Sequence, residues 1–439
     1  MNYDEAMAYI KNTAKFGSNY GLSRTEKILE LLGNPHKKLK CIHIGGTNGK
    51  GSTTAMLEAI LREAGFKTGM YISPFIEEFE ERIQINGENI PKEHLTSVVT
   101  EVSKAVDDVI NLGFDQPTEF EIITCAMFLY FYKMKVDYAI IEVGLGGRLD
   151  STNVITPILS IITSISYDHM AILGDTLEKI AYEKAGIIKD EIPLILYPQT
   201  EESLQVIREK CIEKKSDMIL VPHDCVNLKE ITMNSKGEYH QKIVIKTVKH
   251  DYSLNLALLG KHQLLNCATV IYAVEYLISK GVQIDRNHIS SALEKVKWPG
   301  RMEIMSINPL VIIDGAHNID GIRKLTESVT TYFSYNNLVL ILGILADKQV
   351  EQMVQTIVPK AKKIVAVTPN SNRAELGAEL AEVIKRYNNN VEVVEDYSEA
   401  LKIGMNSCET EDILLVCGSL YMIGGMRGII KKGDYFKKK

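Results

Sequence analysis

The feature that most constrains this chain is a glycine-rich turn between a short apolar strand and a helix. Residues 40–44 (Lys-Cys-Ile-His-Ile) predict a strand, residues 45–52 (Gly-Gly-Thr-Asn-Gly-Lys-Gly-Ser) a turn, and residues 53–64 a helix. Small residues let backbone N–H groups close around an anion, and a helix N-terminus adds its positive dipole. Lys50 adds a full charge, and Ser52 is placed where it could ligate Mg²⁺. This combination favours a phosphate-binding loop over an ordinary glycine turn with a surface lysine.

The spacing of this loop departs from the standard pattern G-x-x-x-x-G-K-[ST]. When Gly49 and Lys50 are taken as the G-K pair, the first glycine of the pattern falls on Ile44 and its hydroxyl on Gly51. The loop is therefore shorter at its start and delayed by one residue at its end.

Strands alternate with helices after the loop, which predicts a parallel sheet with helices on both faces. Further strands are expected at residues 67–72, 137–143 and 158–165, and capping boxes at 23–26 and 118–121 open two of the helices. Ligands of such sheets bind beyond the carboxyl ends of strands. Lys50, Glu142 and His169 all follow strand ends, so we expect them to converge.

The chain divides at a Pro-Gly interruption within residues 297–301. Strand-like runs then recur at 310–314, 338–343, 363–368, 391–395 and 413–417, while residues 227–256 alternate and predict an antiparallel appendage. We expect an α/β protein: a P-loop-type, mostly parallel sheet domain (1–297), then a smaller Rossmann-like parallel α/β domain (298–439). The active site should lie in the cleft between the two domains.

Composition excludes several classes of protein. Hydrophobic residues make up 45% and charged residues 24% of the chain, and the net charge is −6, which does not favour a nucleic-acid partner. Apolar runs stay below the roughly 18 residues of a membrane span. Seven cysteines without C-x-x-C spacing predict reduced thiols in a cytoplasmic protein. The acidic start does not resemble a signal peptide, and the basic tail 437–439 is expected to be frayed.

Several candidate residues have a plain structural alternative. Glu142 could bind Mg²⁺ or form an ion pair with Arg148 or another base, and His169 could be a metal ligand or a satisfied polar residue. Lys184 would by default be a solvated lysine on a last helical turn. Arg301 could bind phosphate or form a salt bridge at the hinge.

The second domain has its own strand-end residues. Asp314 and His317 follow its first strand and Ser419 its last, so they should face the cleft. Residues 73–83 mix apolar and charged side chains. This composition suits a loop that covers a substrate and a surface excursion without function equally well. The residues thus predict an ATP–Mg²⁺ site, with activation of an acid, switch-like hydrolysis and kinase transfer all open.

Nine collinear segments resemble the folylpolyglutamate synthase/dihydrofolate synthase family, part of the Mur ligase superfamily of ATP-dependent amide-forming ligases. They are residues 46–52, 73–74, 81–83, 142–150, 168–169, 183–186, 299–301, 314–318 and 418–421. The family's own phosphate loop has the shifted spacing seen here. Two departures occur: Gly425 stands where the family usually has an acidic residue, and Gln349 where it has a second Asp.

The resemblance implies a role for each candidate residue. The implied catalytic residues are Lys50, Lys184 (carbamylated), His317 and Asp314. The implied ATP-binding residues are Thr47, Asn48, Gly49, Lys50, Gly51, Ser52, Asn266, Arg301 and Asp314. The implied ligands of two Mg²⁺ ions are Ser52, Glu142, His169 and Lys184, with a monovalent cation as an optional addition. The implied substrate-binding residues are Ser73, Pro74, Phe75, Arg82 and Ser419.

The implied reaction is ATP-dependent addition of L-glutamate to the carboxylate of reduced folates, and of dihydropteroate, through an acyl phosphate. The implied partners are these small molecules alone, with no membrane or nucleic acid, in a monomer. Two alternatives are kept: a Mur-type amino-acid ligase acting on a cell-wall precursor, and a P-loop switch that hydrolyses ATP without an amino-acid acceptor. Residues 148–150 look more like the bifunctional bacterial enzymes.

Overall fold

The structure is a computed structural model that describes residues 1–13, 21–234, 237–371 and 373–433. An eight-stranded sheet organises its first part, in the order β4-β3-β2-β5-β1-β6-β7-β8. Neighbouring strands are parallel except at the β2–β3 and β3–β4 pairs. The strands are β1 Cys41–Gly45, β2 Thr68–Tyr71, β3 Ile83–Ile85, β4 Glu88–Asn89, β5 Tyr138–Glu142, β6 Leu159–Ile162, β7 Leu194–Leu196 and β8 Met218–Leu220.

Helices cover both faces of this sheet, because its central strands are apolar on both sides. Ile140 faces one core, whereas its neighbour Ile141 faces the other. Cys41, Cys125 and Cys417 are buried. The helices are α1 Tyr3–Thr13, α2 Ser23–Leu31, α3 Lys50–Glu63, α4 Lys92–Asn111, α5 Glu119–Met134, α6 Met170–Leu173, α7 Leu177–Ala185, α8 Glu201–Glu213, α9 Lys261–Ser279 and α10 Arg286–Lys295, with 3₁₀ turns at Pro35–Lys38, Phe79–Arg82 and Ser151–Val154.

One of the two predicted capping boxes is present. Thr118 accepts the N–H of Glu121, whose carboxylate accepts the N–H of Thr118 in return. The box at residues 23–26 is wrong: Ser23 is already the first helical residue of α2, and Leu22 before it caps nothing with its side chain.

The antiparallel appendage is confirmed as a three-stranded sheet in the order β11-β10-β9. It packs through Ile243 and Ile245 onto the same core as α3 and α9. Its strands are β9 Val226–Met233, β10 Tyr239–Lys246 and β11 Asp251–Leu256.

A six-stranded sheet, β12-β13-β17-β14-β15-β16, organises the rest of the described chain. The expectation of a parallel α/β sheet is confirmed except at its edge, where β12 runs antiparallel to β13. The boundary at 297/298 stays a prediction. The elements are β12 Glu303–Ile307, β13 Leu310–Ile313, α11 Ile319–Tyr332, β14 Leu338–Leu342, α12 Val350–Ile357, a 3₁₀ turn Val358–Lys360, β15 Ala361–Ala366, α13 Gly377–Lys385, β16 Val391–Val393, α14 Tyr397–Asn406, β17 Ile413–Cys417 and α15 Leu420–Lys432.

Across the described ranges, no helix combines the length and apolar character that crossing a bilayer requires. The predicted frayed tail, residues 437–439, lies outside the described residues.

Candidate active site

A cavity of about 500 Å³ opens where strand ends of the two large sheets face each other. It collects most of the predicted site residues, as the strand-end rule requires. Of those residues, only Asn266 and Phe75 do not line it. The predicted residues that do are Thr47, Asn48, Gly49, Lys50, Gly51, Ser52, Ser73, Pro74, Arg82, Glu142, His169, Lys184, Arg301, Asp314, His317 and Ser419.

The glycine-rich loop is packed too tightly for side chains. A Cβ at Gly46 would lie 1.9 Å from Thr163 Oγ1, and one at Gly51 would lie 2.8 Å from the Trp298 ring. Gly49 has φ +92°, which favours glycine, and precedes the first turn of α3. The N-terminus of α3 therefore borders the cavity directly.

Three ionisable residues form the wall next to this loop. Lys50 Nζ lies 3.9 Å from Glu142 Oε1, and Lys184 Nζ donates to the carbonyl of Gly46 at 2.9 Å. Burial raises the pKa of Glu142 to about 7, although the charges of Lys50 and Arg301 oppose the shift. Burial, with repulsion from Lys50, lowers the pKa of Lys184 to about 7. We call Lys50, Glu142 and Lys184 the loop-side group.

The structure decides two of the alternatives for these residues. Arg148 pairs with Glu183 at 2.8 Å, so the base that lies beside Glu142 is not Arg148 but Lys50, at 3.9 Å. Lys184 is only 3% exposed, so it is not a solvated lysine. Both residues are buried charges at the cavity wall, which is where functional pKa shifts cluster.

Ser52 and Asn266 are linked behind the loop. Gln263 donates through Nε2 to Ser52 Oγ at 3.0 Å, and its Oε1 accepts from Asn266 Nδ2 at 2.9 Å. Asn266 also lies against Gly49, where an added Cβ would be 2.6 Å from its Oδ1. Asn266 thus supports the loop from outside the cavity.

Asp168 is the centre of a second charged cluster. Lys348 Nζ donates to its Oδ1 at 2.6 Å, and His317 Nε2 lies 3.7 Å from its Oδ2. Burial alone would raise the pKa of Asp168, but the charges of His317, Lys348 and His169 outweigh it and hold the pKa well below its ordinary value. We call Asp168, His317 and Lys348 the contact group, since it joins the two parts of the chain.

His317 itself is held by its neighbours. Its Nδ1–H donates to the carbonyl of Gly315 at 2.8 Å, which leaves Nε2 toward Asp168. Burial lowers the pKa of His317 to about 4. His169, with φ +49°, immediately precedes the short helix α6, and its Nε2 lies 3.4 Å from Lys348 Nζ.

The glycine-rich loop contacts the second part of the chain through Asn48. Its Nδ2 donates to Asp320 at 2.8 Å, and its Oδ1 accepts from Asn318 Nδ2 at 3.0 Å. Asn318 also caps α11, where its Oδ1 accepts the N–H of Gly321. The N-terminus of α11 is therefore placed directly over the phosphate loop.

Asp314 and Arg301 lie together on the opposite wall. Asp314 accepts the N–H groups of Met302 at 2.8 Å and Ala316 at 2.7 Å. Burial raises the pKa of Asp314, against the charge of Arg301. Ser419 is fully buried and caps α15 by accepting the N–H of Tyr421 at 3.3 Å.

The loop of residues 73–83 supplies Ser73, Pro74 and Arg82 to the cavity. Phe75 and Phe79 do not line the cavity, and the centre of each ring lies 5.3 Å from the Arg82 guanidinium. Its Nη2 lies 3.6 Å from Glu119 Oε1. Phe75 therefore supports Arg82 from behind.

Some residues that complete the site were not predicted. Lys348, Asn318 and Asp320 were not singled out, although Lys348 follows β14 and the strand-end rule could have found it. Gly425, a departure from the family pattern, has a local reason: a Cβ there would lie 3.1 Å from the Tyr397 ring.

One divalent cation fits the loop-side group. Glu142 is a buried carboxylate whose pKa is raised by burial, and Ser52 lines the same cavity. Within the described ranges, no group of three or more His, Cys, Asp or Glu could hold a metal.

Two family models match the chain. The Mur ligase middle domain covers residues 44–274, and the Mur ligase glutamate ligase domain covers residues 300–420. Together they contain every predicted residue that lines the cavity. The fold is therefore that of a Mur ligase.

Full-length relatives narrow the family. The chain is 38% identical to dihydrofolate synthase/folylpolyglutamate synthase of Bacillus subtilis (strain 168), over 98% of this chain and 99% of the relative. It is 34% identical to folylpolyglutamate synthase of Lacticaseibacillus casei, over 99% and 100%.

Solved structures agree with these relatives. Folylpolyglutamate synthase of Mycobacterium tuberculosis, complexed with ADP and AMPPCP, is 26% identical with a TM-score of 0.89, covering 98% of this chain and 100% of that one. E. coli FolC in complex with DHPP and ADP is 27% identical, with a TM-score of 0.86 and 98% of each chain covered. The folate enzymes thus account for the chain better than the cell-wall alternative, and the chain belongs to the folylpolyglutamate synthase/dihydrofolate synthase family of the Mur ligases.

Proposed function

We propose that this protein joins L-glutamate to the carboxylate of folates, as in tetrahydrofolate polyglutamylation, and to that of dihydropteroate, at the expense of ATP. One observation carries the proposal. A single cavity brings the phosphate loop and Glu142 together with Arg301, Asp314 and His317 from the other side of the cleft. An acid to be activated and an amine to be joined could meet there.

The first step is attack of the substrate carboxylate on the γ-phosphorus of ATP, which releases ADP and leaves an acyl phosphate. A carboxylate acylates poorly because oxide is a poor leaving group, whereas phosphate is a good one. The loop N–H groups and Lys50 hold the phosphates, with Thr47 to Ser52 as the binding segment. Asn266 supports that loop, and Arg301 contacts the nucleotide.

The second step is attack of the glutamate amine on the acyl carbon. The tetrahedral intermediate expels phosphate and leaves an amide, and the amine loses its proton. Asp314, His317 and Ser419 line the side from which glutamate would enter, and Ser73, Pro74, Phe75 and Arg82 belong to the loop that would cover the acid. Closure of the cleft would keep water from the acyl phosphate.

Mg²⁺ is the metal that this donor set suits, with Ser52 and Glu142 as its ligands. When bound, it would neutralise negative charge on the phosphates. For a second ion we propose His169 and a carbamylated Lys184, with a monovalent cation as an optional addition. A pKa of about 7 leaves much of Lys184 as the free amine, the form that reacts with carbon dioxide.

A cytoplasmic location, a monomeric state and the absence of nucleic-acid or membrane partners stay predictions. The location and the absence of such partners follow from the cysteine spacing, charge and composition given above. The monomer follows from the family resemblance, and size measurement of the purified protein would check it.

ADP release tests the reaction. We expect release to require both glutamate and an acid, and the two acids, dihydropteroate and reduced folate, should be assayed side by side. Release without an amino-acid acceptor would favour the P-loop switch, and activity only on a cell-wall nucleotide would favour the Mur-type alternative.

Isotope transfer tests the intermediate. With ¹⁸O in the substrate carboxylate, one labelled oxygen should appear in the released phosphate, because the bridging oxygen leaves with it. Unlabelled phosphate would exclude an acyl phosphate.

A further inference from the structure

Outside the cavity, the loop of residues 73–83 is fastened to the last helix, α15. Arg427 on α15 donates through Nε and Nη2 to the two carboxylate oxygens of Glu303, each at 2.7 Å, and through Nη1 to Glu77 in the loop. Its side chain is only 12% exposed. A rigid guanidinium fork suits such double recognition, which a lysine cannot reproduce.

The backbone of the loop also touches α15 directly. A Cβ at Gly424 would lie 1.9 Å from the carbonyl oxygen of Ile76, so only glycine allows this approach. Ile76 Cδ1 also lies 3.2 Å from the position of a Cβ on Gly300. The first part of the loop is therefore seated between α15 and the hinge segment.

Within the loop, Glu81 links the segment that contacts α15 to the segment that borders the cavity. Its carboxylate accepts the N–H groups of Ile76 at 2.7 Å and of Glu77 and Glu78 at 3.0 Å. Glu81 lies in the 3₁₀ turn that ends at Arg82, which lines the cavity. A shift of the loop at Glu77 would therefore displace Arg82.

The other partner of Arg427 leads to the opposite wall of the cavity. Glu303 Oε2 also accepts the N–H of Gly300 at 2.9 Å. Gly300 precedes Arg301, which lines the cavity. One guanidinium thus connects the loop of the first sheet domain with the hinge and the first strand of the second.

We propose that Arg427 is a positioning residue that couples the covering loop to the second domain, so that the loop takes its acid-binding shape only when the two domains are docked. The effect on the acid rests on the proposed function, in which this loop covers the acid substrate. The coupling itself rests on the contacts of Arg427 and Gly424.

Steady-state kinetics of the full-length protein test the effect on the acid. In Arg427→Ala, the KM for the acid should rise about tenfold, the loss expected for charge-assisted hydrogen bonds, with kcat nearly unchanged. The KM values for ATP and glutamate should change less than twofold. Arg427→Lys should fall between wild type and Arg427→Ala, and Gly424→Ala should raise the KM for the acid without any change of charge.

The matched control is Lys432→Ala, which removes an exposed cation from the same helix. It should leave all three KM values unchanged. Equal rises for the three substrates in Arg427→Ala, or no rise for the acid, would overturn the proposal. In a double-mutant cycle, Glu77→Ala should add little to Arg427→Ala, whereas full additivity would contradict the coupling.

Amide hydrogen exchange tests the coupling without any turnover. Exchange at residues 76–82 should be faster in Arg427→Ala than in wild type, and unchanged in Lys432→Ala. Identical exchange in wild type and Arg427→Ala would overturn the coupling. If wild type turned over neither acid, the proposed function would fail, while this comparison would still decide whether Arg427 holds the loop.

Discussion

The two charged groups of the cavity differ in how their charges are matched. In the loop-side group, Glu142 and Lys184 are buried and each has its pKa shifted to about 7, toward the neutral form. In the contact group, the charges of His317, Lys348 and His169 hold the pKa of Asp168 well below its ordinary value, although burial lowers the pKa of His317 itself to about 4. Glu142, Lys184 and Asp168 are all buried, so the difference between their pKa shifts comes from the charges that surround each of them.

This difference separates a binding site from a structural contact. Unmatched buried charge costs stability, and a chain retains it where a ligand completes the match. The phosphates of ATP and a divalent cation would do so for the loop-side group. The Asp168 carboxylate is already matched by Lys348 of the second domain, so the role of this ion pair is to hold the two domains together.

The strongest test of this comparison is Lys50→Ala. Loss of the phosphate-binding charge should lower acid-dependent ADP release by about a thousandfold, while the folded structure is retained. Circular dichroism would check the fold, and Lys104→Ala, at an exposed position of α4, is the matched control. A near-normal rate in Lys50→Ala would show that the phosphate-loop interpretation is wrong.

Glu142→Gln should lower turnover by about a hundredfold and yet raise stability at neutral pH. Because the pKa of Glu142 in the folded chain, about 7, lies above the ordinary 4.5, the folded state binds this proton more tightly than the unfolded state. Its contribution to stability therefore falls as pH rises from 4.5 to 7.

Thermal unfolding of both proteins checks this sign. The gain in unfolding temperature from Glu142→Gln should be small at pH 4.5, grow between pH 4.5 and pH 7, and be complete at pH 8. The exposed Glu88→Gln controls for a general effect of lost charge. A gain that shrinks with rising pH would mean that the charge of the Glu142 carboxylate is well matched by its neighbours. The loop-side group would then not differ from the contact group in this respect.

Lys348→Met should lower turnover by about tenfold, a smaller effect because it weakens the docking of the domains and not the chemistry. The substitution leaves the Asp168 carboxylate buried without the charge of Lys348. This costs more stability than replacing both members of the ion pair. Asp168→Asn in the Lys348→Met background should therefore recover part of the lost stability. The exposed Lys360→Met is the control, and additive losses would show that the pair is not coupled.

The sequence predicts the strand ends of this site well. Glu142 and Asp314 end apolar strands with local signals, and parallel pairing brings such ends to one edge. The ion pair of Lys348 with Asp168 could not be predicted, since 180 residues separate the partners. Only the docking of the two domains places them together.

Local patterns also fail where tertiary contacts decide. Residues 23–26 and 118–121 carry similar capping patterns, but only Thr118 acts as a cap. At the first, Arg24 is buried and donates to Glu121, so packing against α5 fixes where α2 begins. The antiparallel strand β12 was missed for the same reason, because its pairing with β13 is a property of the sheet and not of its own pattern.

The smallest expected effect concerns Ser419, which has two possible roles on the second-domain wall. As the cap of α15 it contributes about 1 kcal/mol, which Ser419→Ala would lose and Ser419→Gly would largely keep, since glycine is a good N-cap. If the Ser419 hydroxyl binds glutamate, both variants lose that contact, and the KM for glutamate should rise equally in both. Denaturant unfolding and the KM for glutamate, measured on both, separate the roles. Equal rises in that KM with unequal stability would extend ligand binding to the second-domain wall. If the KM for glutamate instead changes in parallel with the loss of stability, Ser419 acts only as the cap of α15. Unmatched charge, as in the loop-side group, would then be the better guide to where substrates bind.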